Sequence, residues 1–139
     1  MEDLQSILLP GIDSKRPIII AGPCSAETEE QVMTTAKSLA ERGIKIFRAG
    51  IWKPRTKPGG FEGIGVEGLA WLKRVKEETG MYTATEVATE RHVFEALKHG
   101  IDILWIGART TARFVVEDAQ AHEFSGEVFD ILAEVPPNL

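Results

Sequence analysis

A parallel α/β architecture of the TIM-barrel type is the fold class predicted for this chain, on three observations. Four apolar, β-branched runs alternate with amphipathic stretches of helical period, in the order βαβαβαβ. Such alternation means parallel strands joined by right-handed crossovers, hence either an α/β barrel or an open doubly wound sheet. The loop after the first strand reads Gly22-Pro23-Cys24-Ser25; a dinucleotide-binding sheet would place its glycine fingerprint there. The barrel is therefore preferred, and about four βα units make half of one.

The elements follow in order. Residues 1–16 hold one apolar run, Ile7-Leu8-Leu9, ended by Pro10-Gly11, a turn pair. A leader strand, or a plug over one end of the domain, is expected. Pro17-Ile18-Ile19-Ile20-Ala21 predicts a strand buried on both faces. Thr28 with Gln31 resembles a capping box and opens a helix with Val32, Ala36, Leu39 and Ala40 on one stripe, closed by Gly43.

A second strand spans about 44–49 and feeds the run Arg48-Ala49-Gly50-Ile51-Trp52-Lys53-Pro54-Arg55-Thr56. Glycines 59, 60, 63, 65 and 68 follow, but no Gly-Lys-Ser/Thr does, so this is an active-site loop or a mobile connection and not a phosphate loop. A helix over 66–79 turns Leu69, Leu72 and Val75 inward and stops at Gly80. The third strand is 82–87, and Thr89 caps a third helix with Val93, Ala96 and Leu97 inward. The fourth strand is 101–106, leading into Gly107-Ala108-Arg109-Thr110-Thr111.

Composition excludes several function classes. The 139 residues are 43% hydrophobic and 27% charged, ordinary for one globular domain. No apolar run approaches a membrane span of about 20 residues. The acidic start, Met1-Glu2-Asp3, is unlike an export signal. One cysteine fits a reducing cytoplasm. The net charge of −5 sits wholly in residues 113–139, where Arg113 stands against six acids, while residues 1–112 are balanced. Nucleic acid is not an expected partner. The chain divides into 1–112 and a divergent, unrelated acidic tail, 113–139, in which Ser125 could cap a short helix bearing Val128, Ile131, Leu132 and Val135.

In a parallel barrel the carboxyl ends of the strands form one mouth. Here strand one ends at Cys24, strand two at Arg48, Lys53 and Arg55, strand three at Glu86 and strand four at Arg109. Lys53 and Arg55 flank Pro54, which stiffens the loop, and two convergent cations suit a phosphate or carboxylate. Gly107 and Ala108 permit close backbone approach to a ligand, and Thr110 and Thr111 add hydroxyl donors. Glu86 is suited to orient a lysine or water, or to hold Lys53 in a structural ion pair. Cys24 is a metal ligand, a nucleophile or a small buried residue. No Cys-x-x-Cys or His-x-x-x-His spacing supports a metal site. His92 and His99 are expected on the surface of the third helix, away from the mouth; His122 has no recognisable context.

Ile20-Ala21-Gly22-Pro23-Cys24-Ser25, Phe47-Arg48-Ala49-Gly50 with Lys53-Pro54-Arg55-Thr56, Thr85-Glu86-Val87 and Ile106-Gly107-Ala108-Arg109-Thr110-Thr111 resemble the first half of the short, β-type 3-deoxy-7-phosphoheptulonate synthases. The resemblance covers about residues 5–112. The related 3-deoxy-8-phosphooctulonate synthases share the Gly-Pro-Cys loop, but carry Lys-Ala-Asn-Arg-Ser where this chain has Lys53-Pro54-Arg55-Thr56, so the seven-carbon product is favoured. The resemblance implies condensation of phosphoenolpyruvate with erythrose 4-phosphate, opening the shikimate pathway. It implies Arg48, Lys53, Glu86, Ala108 and Arg109 on phosphoenolpyruvate, with Gly107 and Thr110 beside them. Pro54, Arg55 and Thr56 would face the erythrose phosphate, and Lys53 would serve proton transfer. Cys24 would be one ligand of a divalent metal such as Mn2+, whose other family ligands have no recognisable counterpart here. A half barrel exposes sheet edges, so pairing with a second copy, with a complementary half, or with the tail folded over the gap is also expected.

Overall fold

The computed structural model describes residues 8–13, 15–52 and 63–107. Expectations for Lys53, Pro54, Arg55, Thr56, Ala108, Arg109, Thr110 and Thr111, and for the tail 113–139, fall outside these residues. Described elements are β1 (Ile20–Ala21), α1 (Glu29–Glu41), β2 (Ile46–Arg48), α2 (Val66–Thr79), β3 (Tyr82–Val87), α3 (Glu90–Lys98) and β4 (Ile103–Ile106).

The four strands are parallel and lie in the order β1-β2-β3-β4. A doubly wound sheet reverses direction at a switch point; strands that each neighbour the next in sequence form a barrel wall. Helix packing agrees. α1 and α2 lie against each other, tied by Arg74–Glu29 at 2.7 Å and Lys37–Glu78 at 3.4 Å, so both are on one side of the sheet.

Local chemistry sets the helix ends. Thr28 Oγ1 accepts from Gln31 N–H at 3.1 Å while the Gln31 side chain accepts from the Thr28 backbone, the reciprocal cap expected. Thr89 Oγ1 accepts from His92 N–H at 3.1 Å. α2 ends at Gly80, whose φ of +74° is the left-handed conformation that ends helices.

Side chains alternate across the sheet, and register decides which share a face. Arg48, Ala84 and Ile103 form one row and Glu86 pairs with Trp105, so Arg48, Glu86 and Trp105 are on the same face. All three are half-buried. The opposite, helix-covered face holds Phe47, Thr83, Thr85, Val87, Leu104 and Ile106, each no more than 1% exposed.

The first strand departs from expectation. Only Ile20–Ala21 enters the ladder, and Ile18, Ile19 and Ile20 are 36%, 63% and 41% exposed. β1 pairs with β2 alone among the described residues. An edge position leaves one flank of a β-branched run without a neighbour, whatever its sequence.

Of the leader, residues 8–13 are described, and they lie over one end of the sheet as a plug would. Leu9 and Ile12 pack on the core, and the Tyr82 hydroxyl donates to Pro10 O at 2.6 Å. Tyr82 begins β3, so the leader lies at the amino end of the sheet, opposite the strand exits. The same end carries a brace absent from the sequence analysis. The Asp102 carboxylate accepts from buried Thr83 N–H at 2.9 Å and from Lys76 Nζ at 2.7 Å, linking β3, α2 and the approach to β4. Asp102→Ala strands a buried donor and is expected to cost about 1–3 kcal/mol in urea unfolding. A loss below about 0.5 kcal/mol, the range of an ordinary surface change, would contradict the brace.

Candidate active site

The strand exits are laced together by their backbones. Ala26 N–H donates to Gly50 O at 2.8 Å and Gly50 N–H to Pro23 O at 3.3 Å, joining the Cys24 loop to the exit of β2. Ala49 N–H donates to Ala84 O at 3.2 Å, and Thr85 Oγ1 donates to Ala49 O at 2.9 Å, joining β2 to β3. Gly22 has φ +150°, and a Cβ there would lie 1.9 Å from Arg48 O. The first two exits therefore touch through backbone alone.

Arg48, Glu86 and Gly107 thus stand at one end of the sheet, with Cys24 on the adjoining loop. The Arg48 guanidinium carbon lies 4.8 Å from the centre of the Trp105 ring, a cation–π distance. Its Nε is buried with no hydrogen-bond partner, and Arg48 makes no ion pair among the described residues. A half-buried cation with unsatisfied donor capacity is an anion site in chemical terms. A Cβ on Gly107 would lie 2.2 Å from Glu86 Oε1. What Gly107 admits here is the Glu86 carboxylate.

Trp105 is a site residue that the sequence analysis missed. Period-two alternation puts it on one face with Ile103, but only the β3–β4 register places that face with Glu86. Cys24 is exposed, so it is not the small buried residue that was one of its three expected readings. As a soft donor Cys24 fits a divalent metal, but no three His, Cys, Asp or Glu side chains cluster among the described residues. The described residues thus do not form a set of metal ligands.

His92 corrects an expectation. It is half-buried at the strand-exit end, because it lies in the first turn of α3, beside the exit of β3. Its ring stacks on Trp52 with centroids 4.1 Å apart and planes 5° from parallel. Nδ1 accepts from Ala88 N–H at 3.0 Å. Burial, and secondarily the Arg91 charge, lowers its pKa to about 4. A depressed folded-state pKa gives stability that is complete above the ordinary value of 6.5 and is lost as pH falls through about 4. Allowing for solvent around a half-buried ring, the loss between those values is about 1–2 kcal/mol. Imidazole proton shifts followed by NMR are expected to show a midpoint near 4; a midpoint at or above 6 would contradict this burial.

Ile51 is held against the start of α2. Gly65 N–H donates to Ile51 O at 2.8 Å. A Cβ on Gly63 (φ +95°) would lie 2.1 Å from Ile51 O, and one on Gly68 would lie 2.4 Å from Ile51 Cγ2. These glycines serve close packing against Ile51, consistent with setting the phosphate-loop comparison aside. No helix among the described residues is long and apolar enough to cross a membrane.

Comparison with known proteins adds the chemistry. The model of the DAHP synthetase I family matches residues 5–124, past Ala112 and into the acidic stretch. Phospho-2-dehydro-3-deoxyheptonate aldolase of Thermotoga maritima is 44% identical over 96 residues, covering 69% of this chain and 28% of that protein. A 2-dehydro-3-deoxyphosphooctonate aldolase of Variovorax paradoxus is 41% identical over 93 residues, covering 62% of this chain and 32% of its own length. The crystal structure of the Thermotoga maritima DAHP synthase superposes with a TM-score of 0.61 at 39% identity, over 70% of this chain and 28% of that one. The chain thus spans about a third or less of the length of these relatives.

Proposed function

The chain belongs to the DAHP synthetase I family, and on that footing we propose that it carries part of the active site of a 3-deoxy-7-phosphoheptulonate synthase. The reaction is the aldol-type condensation of phosphoenolpyruvate with erythrose 4-phosphate and water, releasing inorganic phosphate, at the head of the shikimate pathway. One observation carries the reading: the half-buried Arg48 guanidinium, seated on Trp105 at the strand exits, with Nε unsatisfied and no ion pair among the described residues.

Two phosphorylated anions repel each other, so joining them requires cations that hold both in register. Arg48 takes the phosphoenolpyruvate carboxylate or phosphate through its guanidinium fork. Lys53, Ala108 and Arg109 complete that subsite, with Gly107 and Thr110 beside it. Pro54, Arg55 and Thr56 serve the erythrose phosphate. Glu86 orients Lys53, which handles the proton. A divalent metal, Mn2+ or similar, would add Lewis-acid polarisation of the aldehyde oxygen, with Cys24 as one ligand. The half-barrel wall, with Arg48, Glu86 and Trp105 on one face, would pair with a second copy or a complementary half. The reading places the chain in the cytoplasm.

Phosphate release is the test, with both substrates and Mn2+ supplied. Release that requires both substrates supports the synthase; none above background sinks catalysis by this chain. A second reading is an anion-binding half barrel without turnover; no three His, Cys, Asp or Glu side chains cluster among the described residues. Saturable phosphoenolpyruvate binding without phosphate release would select it.

A further inference from the structure

We propose that Trp105 is a positioning residue: its indole face, rather than a carboxylate, carries the Arg48 guanidinium and so keeps that charge open to an anion at the strand exits. The inference rests on the reading of Arg48 as an anion-binding group. Register shows how the two side chains meet from strands that are not neighbours. Arg48 on β2 stands level with Ala84 on β3, and Ala84 with Ile103 on β4. Trp105 is two residues beyond Ile103, towards the exits. A guanidinium carbon 4.8 Å from the indole centre has therefore crossed β3 and leans outwards. Neighbouring strands lie about 4.8 Å apart, so only two long side chains meet across β3, and at Ala84 a buried methyl group is all that stands between them.

Charges taken out of water are ordinarily paired, and a carboxylate is at hand, since Glu86 pairs in register with Trp105. Glu86 and Arg48 nevertheless form no ion pair. The Glu86 carboxylate is turned onto Gly107, where an added Cβ would lie 2.2 Å from Oε1. It leans out along β4 while the guanidinium lies over the indole. The difference matters to a ligand. A carboxylate would neutralise the cation and occupy its donor fork. An aromatic face attracts the cation through its quadrupole and takes up no N–H group. Arg48 Nε is accordingly buried with no hydrogen-bond partner.

The test is a double-mutant cycle over Arg48→Met and Trp105→Leu, read by phosphoenolpyruvate titration calorimetry, with the Arg48 Nε–H proton resonance as a ligand-free readout. Trp105→Leu keeps apolar bulk without an aromatic face, and is expected to raise the phosphoenolpyruvate Kd about five- to thirtyfold. In the Arg48→Met background the same change is expected to move Kd by less than about twofold, because no guanidinium is left to place. A packing role would weaken binding equally in both backgrounds; that result overturns the proposal, as does parental affinity in Trp105→Leu. The Nε–H proton, assigned by its loss in Arg48→Met, is expected upfield of the ordinary arginine position in the parent, from the indole ring current, and at that position in Trp105→Leu. A resonance that stays put between the two overturns the proposal. Should Trp105→Leu fail to fold, Trp105→Phe decides: an upfield Nε–H supports the proposal, and one at the ordinary position overturns it. A parent chain that does not bind phosphoenolpyruvate defeats the reading of Arg48 instead, while the resonance still decides whether Trp105 seats it.

Discussion

Alanine at position 22 is expected to destabilise the chain by about 3 kcal/mol or more, from backbone strain and overpacking together. Gly22 has φ +150°, a region that L-residues rarely occupy. Its Cβ would lie 1.9 Å from Arg48 O and 2.9 Å from Arg48 C. Both atoms are backbone, so no rotamer change relieves the clash. The exits of β1 and β2 must separate, breaking the bonds between Ala26 and Gly50 and between Gly50 and Pro23. Gly43→Ala is the control: its φ is +85° but nothing lies within 4 Å of an added Cβ, so only the conformational cost of about 1 kcal/mol applies. Urea unfolding of both variants separates strain from contact. Equal losses would show that the close approach of the two exits is not real.

Arg48→Met is expected to weaken phosphoenolpyruvate binding about 10- to 100-fold, the range for losing a charged hydrogen-bonding group. Stability is expected to move the other way or not at all. The substitution keeps an apolar stem on Trp105 and removes a buried, unpartnered Nε, and removing an unsatisfied buried group is neutral or favourable. This opposition distinguishes a ligand-binding arginine from a structural one. Arg48→Lys, with charge but no planar fork, is expected to fall between. Calorimetric titration with phosphoenolpyruvate and urea unfolding give the two readouts. Unchanged affinity together with a stability loss above about 2 kcal/mol would make Arg48 structural.

Legibility in the sequence followed the range of the interaction. α2 and β3 lie where the sequence puts them, and the Thr28 and Thr89 caps are where their spacing puts them. Each depends on side chains within a few positions. That Arg48, Glu86 and Gly107 share one end was also legible, since strand parity follows from the βα order. Burial was not. Pro17–Ala21 has the composition of an interior strand, but its exposure is decided by what lies beside it, and among the described residues β1 has a neighbour on one side only. The Trp52–His92 stack was illegible for a related reason. Helical spacing puts His92 off the apolar stripe, and nothing local shows that the exit of β2 lies across from it. Asp102 was hidden too, because an acid opening a strand gives no sign of the Thr83 amide and Lys76 ammonium that it receives.

Chemical-shift mapping of the backbone amides during phosphoenolpyruvate titration tests the convergence of the strand exits most directly. The expected result is a set of saturable shifts at Cys24, Arg48, Glu86 and Gly107 that fit one common Kd and vanish in Arg48→Met. No saturable shift, or shifts confined to Glu29, Lys37 and Arg74 on the α1–α2 surface, would contradict it.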